Sequence, residues 1–148
     1  MSDLKIVHWN SHSFMNKIEE FKMFLEEEKP DIVALNEIKL SEGNANRHLF
    51  CPGYVAMFRL RDKNPQYGGG VAILLKNSLH YAQISTYDKY KCELLAVRII
   101  MRGKPLLFVA LYNPPGNILS APLFSEIEAC GNDWIIMGDL NAKLVSMG

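Results

Sequence analysis

Apolar residues recur along this chain in two periods. Ile18, Phe21, Phe24 and Leu25 follow helical spacing, with Glu19, Glu20, Lys22 and Glu26 between them, which predicts an amphipathic helix stopped by Pro30. Elsewhere the apolar positions gather into short runs. Leu4 to Asn10 reads as an opening strand, and Ile32-Val33-Ala34-Leu35 as a strand covered on both faces. Strand, helix and strand with short joins predict a βαβ unit.

The middle of the chain changes character. Tyr54 to Leu60, Val71 to Lys76, Tyr81 to Thr86, Glu93 to Met101 and Leu106 to Tyr112 are all strand-like. Turn signals at Asn64-Pro65, Gly68-Gly69-Gly70, Lys76-Asn77-Ser78 and Arg102-Gly103 separate them, so this block should be antiparallel. Arg102-Gly103-Lys104 reads as a tight hairpin. A short helix is predicted from Ala121 to Ala129, with Ser120 as N-cap, Pro122 in its first turn and Phe124 and Ile127 as its apolar stripe. Trp134 to Gly138 then reads as a buried strand. These patterns describe one continuous mixed α/β domain over residues 1–148.

Composition adds limits rather than a function. Hydrophobic residues at 49% and charged residues at 22% of 148 are ordinary for a globular domain. Sixteen basic residues balance sixteen acidic ones, so bulk charge would not hold nucleic acid and any such contact needs a local patch or a metal ion. Arg59, Arg61 and Lys63, with Tyr67 close by, are the candidate patch; a solvated hairpin tip is the alternative. Cys51, Cys92 and Cys130 are scattered and odd in number, which predicts neither a zinc site nor a disulfide framework. With no apolar run of membrane-spanning length, the expectation is an intracellular protein, nuclear or cytoplasmic, neither secreted nor membrane-bound.

The candidate chemistry lies where apolar strands end in polar residues. Asn10 closes the first strand, Asn36-Glu37 the second, Tyr112-Asn113 the Leu106 strand and Asp139-Leu140-Asn141 the last. Aligned strands would bring these tips to one rim of a sheet, where α/β proteins commonly bind ligands. Two carboxylates with amide and phenol donors, and no thiol or imidazole cluster, suit a hard cation such as Mg2+, with Mn2+ as the alternative. Each residue alone also has a local reading: Asn10 as a strand-end cap, Glu37 as a solvated loop acid, Asp139-Leu140-Asn141 as a turn.

Five segments extend this into a resemblance. Leu4 to Asn10, ending in Trp9-Asn10, resembles the opening motif of the endonuclease/exonuclease/phosphatase superfamily, and Lys29 to Leu40 resembles its second motif. Gly68-Gly69-Gly70-Val71-Ala72-Ile73, Leu111 to Pro115 and Ile136 to Lys143 are similar to segments of its LINE-type (non-LTR) retrotransposon branch. The resemblance implies a DNase I-like two-sheet α/β sandwich, of which the chain would supply the N-terminal half as one sheet with its flanking helices. It implies Glu37 as metal ligand with Asn10 in support, Asp139 and Asn141 at the reacting phosphate, and Tyr112 on the phosphate or sugar. The implied reaction is metal-dependent hydrolysis of a phosphodiester, with DNA nicked to leave a 3′ hydroxyl.

The pattern also departs from the family's. Asn36-Glu37-Ile38 stands where Gln-Glu-Thr is common, and His12 stands where the apurinic endonucleases carry aspartate; His12 is read as a loop residue outside the site. The family's later aspartate and Ser-Asp-His motif are missing after Asp139, so the expected partners are the C-terminal half of the domain and a reverse transcriptase in the parent protein. Two rivals remain: an inactive fragment or remnant with no turnover, and a phosphodiesterase of the same superfamily acting on RNA or inositol phosphates.

Overall fold

The computed structural model describes residues 3–60, 69–90, 92–113 and 118–140. Strand β1 (Ile6–Asn10) leads through a 3-10 turn (Phe14–Lys17) into helix α1 (Ile18–Glu28), and β2 (Ile32–Asn36) follows. Next come helix α2 (Glu42–His48) and strands β3 (Tyr54–Arg59), β4 (Val71–Lys76), β5 (His80–Ile84), β6 (Glu93–Met101) and β7 (Lys104–Tyr112). Helix α3 (Ala121–Glu128) and strand β8 (Asp133–Asp139) complete the described elements. Helix α1 ends at Lys29, whose left-handed backbone donates its N–H to the Leu25 carbonyl before Pro30 turns the chain away.

The strands form two four-stranded sheets, ordered β1-β2-β4-β3 and β5-β6-β7-β8. In the first, β1 and β2 are parallel and β4 runs antiparallel to both β2 and β3. In the second, β5, β6 and β7 form an antiparallel meander, with β8 parallel to β7. The chain therefore contributes strands to both sheets of a sandwich, which corrects the expectation of one sheet. The Gly-rich segment, read as one turn within an antiparallel block, leads into β4 of the first sheet; the switch between sheets comes later, between β4 and β5.

Period-two alternation explains why the central strands are apolar throughout. On β2, Val33 and Leu35 face a core shared with Phe14, Phe21 and Leu25, while Ile32 and Ala34 face the other way. There they meet Val97, Ile99, Phe108 and Ala110 of the second sheet. The outer face of that sheet, through Leu94, Val109 and Leu111, packs on Leu123 and Ile127 of α3. The order is helix, sheet, sheet, helix. Leu123 rather than Phe124 is the buried member of the α3 stripe, and Ser120 makes no side-chain cap.

Strand β8 is not buried as expected. Every residue in it is exposed or half-exposed because it lies outermost in its sheet, and Trp134 keeps 45% of its surface. No helix among the described residues is long and apolar enough to cross a membrane. Helix α2 answers to no apolar period in the sequence. It buries only Ala45, and Ser41 caps it by accepting from the Asn44 N–H at 3.3 Å.

Candidate active site

Register places the polar strand ends together. Asn10 on β1 stands opposite Asn36 on β2, and Tyr112 on β7 opposite Asp139 on β8. Asn36 is fully buried and bridges the sheets. With its amide oxygen accepting from the Asp139 N–H (2.9 Å) and its nitrogen donating to the Leu35 carbonyl (3.2 Å), both ends are satisfied. Within the second sheet, Asn113 ties the ends of β7 and β8, its N–H donating to the Asp139 carbonyl at 2.8 Å and its side chain to the Leu140 carbonyl at 3.1 Å.

The Glu37 carboxylate sits just beyond β2 in a left-handed backbone conformation (φ 51). Tyr112 donates its phenol to one carboxylate oxygen at 3.3 Å. His12 Nδ1 lies 3.2 Å from the other. The Asn10 side-chain oxygen accepts the His12 backbone N–H at 3.2 Å, so Asn10 reaches Glu37 through His12. Three of the five expected residues, Asn10, Glu37 and Tyr112, thus form one cluster, and Asp139 is tied to it through Asn36 and the β7–β8 pairing. Asn141 lies outside the described residues.

The Glu37 loop is braced from both sides. Buried Ser11 donates its hydroxyl to the Asn36 and Glu37 carbonyls, each at 3.1 Å. On the other side the Ile38 and Lys39 N–H groups donate to the Gly70 and Gly69 carbonyls at 3.3 and 3.0 Å. Gly70 has φ 92, and a Cβ there would press on Ile38 at 2.9 Å, so the glycine lets β4 approach the Glu37 segment closely. Buried Glu93 accepts the Gly70 N–H at 2.6 Å. Ile38, which lacks the hydroxyl of the family's usual threonine, fills the core at 0% exposure. On β8, a Cβ on Gly138 would overlap the Leu111 carbonyl, so only glycine fits immediately before Asp139.

His8 is a rim residue outside the set expected from the sequence. Burial lowers its pKa, against smaller upward pulls from a hydrogen bond with Asn36 and the Asp139 charge, so it is a neutral imidazole at neutral pH. The signal for it is positional: it lies two residues before Asn10 on the same face of β1. His12, expected to be a loop residue outside the site, lies in the cluster.

Arg59 donates to the Leu94 carbonyl at 3.4 Å and the Asp88 carbonyl at 3.3 Å, so it is engaged by the β6 side of the protein. Its expected companions Arg61, Lys63 and Tyr67 lie outside the described residues.

The donor set suits a hard cation. Among the described residues no three His, Cys, Asp or Glu side chains stand close enough to hold a metal by themselves. The rim offers carboxylate, amide and phenol oxygens. Magnesium binds in this manner, through one or two carboxylates with water and substrate phosphate supplying the rest. Burial pushes the Cys51 and Cys92 thiols up, which keeps them protonated and unsuited to soft metals.

Residues 7–147 match the model of the endonuclease/exonuclease/phosphatase family, and the chain belongs to that family. Among characterised relatives, it is 30% identical over 144 residues to the probable RNA-directed DNA polymerase of transposon X-element from Drosophila melanogaster. It is 26% identical over 141 residues to the RNA-directed DNA polymerase of mobile element jockey from the same species. The matches cover 97% and 95% of this chain but only 16% and 15% of those proteins.

Two solved structures share the fold. The endonuclease domain of TRAS1, a telomere-specific non-LTR retrotransposon, superposes with a TM-score of 0.72 at 16% identity. The AP endonuclease LMAP of Leishmania major does so with 0.73 at 20%. The chain spans 61% and 55% of those two structures. The sandwich is therefore of the DNase I-like kind expected from the sequence.

Proposed function

We propose that this chain belongs to a divalent-metal-dependent phosphodiesterase that nicks DNA, within a retrotransposon protein that also carries a reverse transcriptase. The observation that carries the reading is the Glu37 carboxylate, fixed at a two-sheet rim with Tyr112 on one oxygen and Asp139 tied to the same rim. Glu37 is the residue that would hold Mg2+ or Mn2+, with the Asn10 amide in support. The ion, when bound, polarises a phosphoryl oxygen and stabilises the leaving oxygen.

The chain's own groups do the positioning. Asp139 would position the attacking water or assist the leaving oxygen from the second sheet, with Asn141 beside it in sequence. Tyr112, held by Glu37, presents its phenol toward the phosphate or adjacent sugar. Scattered, protonated thiols suit a reducing intracellular compartment.

The test is nicking of supercoiled plasmid by a chain extended to the full length of the domain in its structural relatives. Cleavage should require divalent metal and fall by about 10³-fold or more in Glu37→Gln, the scale of losing a ligand to a catalytic metal. Robust cleavage in chelator, or full activity in the variant, would refute the assignment. Cleavage of RNA or inositol phosphates in preference to DNA would move the substrate class and leave the site in place.

A further inference from the structure

Resting on that reading, the rim holds one side chain whose chemistry it does not use. His12 is held in the left-handed region (φ 48), followed by Ser13 at φ 104, a backbone that costs a β-carbon residue on the order of 1–3 kcal/mol per position. The strain persists because the segment is tied down on both sides of His12. The Ser11, Ser13 and Phe14 N–H groups donate to the Asn36, Glu37 and Ile38 carbonyls at 3.0, 3.0 and 3.1 Å. Lys17 Nζ donates to the Ser11 carbonyl at 2.7 Å. The loop after β1 is thus laced to the loop after β2, and the product of the lacing is an imidazole nitrogen 3.2 Å from the Glu37 carboxylate.

An ion pair is a weak reason for such a brace. The His12 side chain is 69% exposed, and pairs with an exposed partner contribute little. The 3.2 Å gap is within hydrogen-bond range, and it is also the spacing of two ligands that share one ion. Two donors each about 2.1 Å from a shared ion, at a right angle, stand about 3 Å apart. An imidazole nitrogen suits first-row transition ions rather than magnesium, which keeps to oxygen and water, and manganese among them also takes carboxylate and water ligands.

We propose that His12 is a nitrogen ligand beside Glu37, and that it gives this site a preference for Mn2+ over Mg2+ that an all-oxygen rim would lack.

The experiment is Mn2+ titration of the chain followed by electron paramagnetic resonance, with Mg2+ as competitor and pulsed detection of nitrogen coupled to the manganese. Two variants accompany it. His12→Asn keeps a residue that tolerates the left-handed backbone, and His12→Asp replaces nitrogen by oxygen. The bound Mn2+ should show directly coordinated nitrogen that both variants lose. The Mg2+ concentration needed to displace it should fall about tenfold, the scale of removing one supporting group from a metal site. Ion binding should survive in His12→Asp, which separates lost ligation from lost folding. Bound Mn2+ without coordinated nitrogen, or nitrogen coupling that persists in both variants, would overturn the role of His12 and leave Glu37 standing. Mn2+ that binds no better to the chain than to Glu37→Gln would overturn the metal site itself.

Discussion

Glu37 and Asp139 stand at one rim, on strands whose surroundings differ. Glu37 follows β2, which lies between β1 and β4 and is buried at every residue. Asp139 ends β8, which pairs with β7 alone among the described residues and is fully buried nowhere. Their sequences do not explain the contrast, since Ile135-Ile136-Met137 is as apolar as Ile32-Val33-Ala34. Position does. Strand β1, outermost in the first sheet, is also half-buried along its length and touches β8, so both sheets are open on the same side. A groove of about 280 Å3 beside β1 is lined by the apolar Val7, Trp9, Phe21, Phe24 and Val33 together with His8 and Glu20. The Glu37 carboxylate is thus built on a clamped centre, and the Asp139 carboxylate on an uncovered apolar edge.

The largest effect expected from that contrast is on catalysis by the chain alone. The 148-residue chain should cleave DNA at least about 10³-fold more slowly than one extended to full domain length, because groups that act as a unit fail together. It should also bind a hydrophobic dye along β1 and β8, and lose that binding on extension. Equal cleavage by the two chains would show that the Asp139 side needs no further cover.

Packing sharpens the same comparison. Leu74, fully buried on β4, should cost about 2–5 kcal/mol when changed to Ala. Ile135→Ala on β8 should cost about 1 kcal/mol in urea unfolding of the chain, since the side chain it shortens is only half-buried. Comparable costs at the two positions would mean that β8 is covered in solution.

The smallest effect concerns the basic segment after β3. Arg61→Ala with Lys63→Ala should lower the slope of log affinity for DNA against log salt by about 1 for each phosphate that is no longer neutralised. Arg59→Ala should leave that slope alone, because Arg59 is engaged with Asp88 and the Leu94 carbonyl. A slope that falls equally with Arg59 would return it to the DNA-facing patch.

Most of the fold is legible because it is written in periodicity. The α1 helix, the paired runs Glu93–Met101 and Lys104–Tyr112, and the left-handed Arg102-Gly103 turn between them follow from spacing and turn chemistry. Helix α2 is illegible because its stability comes from a cap and one alanine rather than an apolar face. The partition into two sheets is hidden for another reason. Antiparallel strands of either sheet alternate alike, and nothing local marks the point where the chain crosses over.

At the candidate site, residue types at strand ends single out Asn10, Glu37, Tyr112 and Asp139, which the strand register then places at one rim. They do not show that Asn36 bridges the sheets or that His12 folds back onto Glu37. Both depend on which strands become neighbours, a property of the whole chain.

The most direct test of the central claim, that one reacting centre is assembled from both sheets, is a double-mutant cycle in the extended chain. Single-turnover DNA cleavage would be measured for Glu37→Gln, Asp139→Asn and the two combined, at saturating Mn2+ and at saturating Mg2+. Glu37→Gln should cost about 10³-fold or more and Asp139→Asn about 10²-fold or more, and the double should be little worse than the poorer single, as for residues that act as a unit. Costs that multiply in full would contradict a shared centre and place Glu37 and Asp139 in separate tasks.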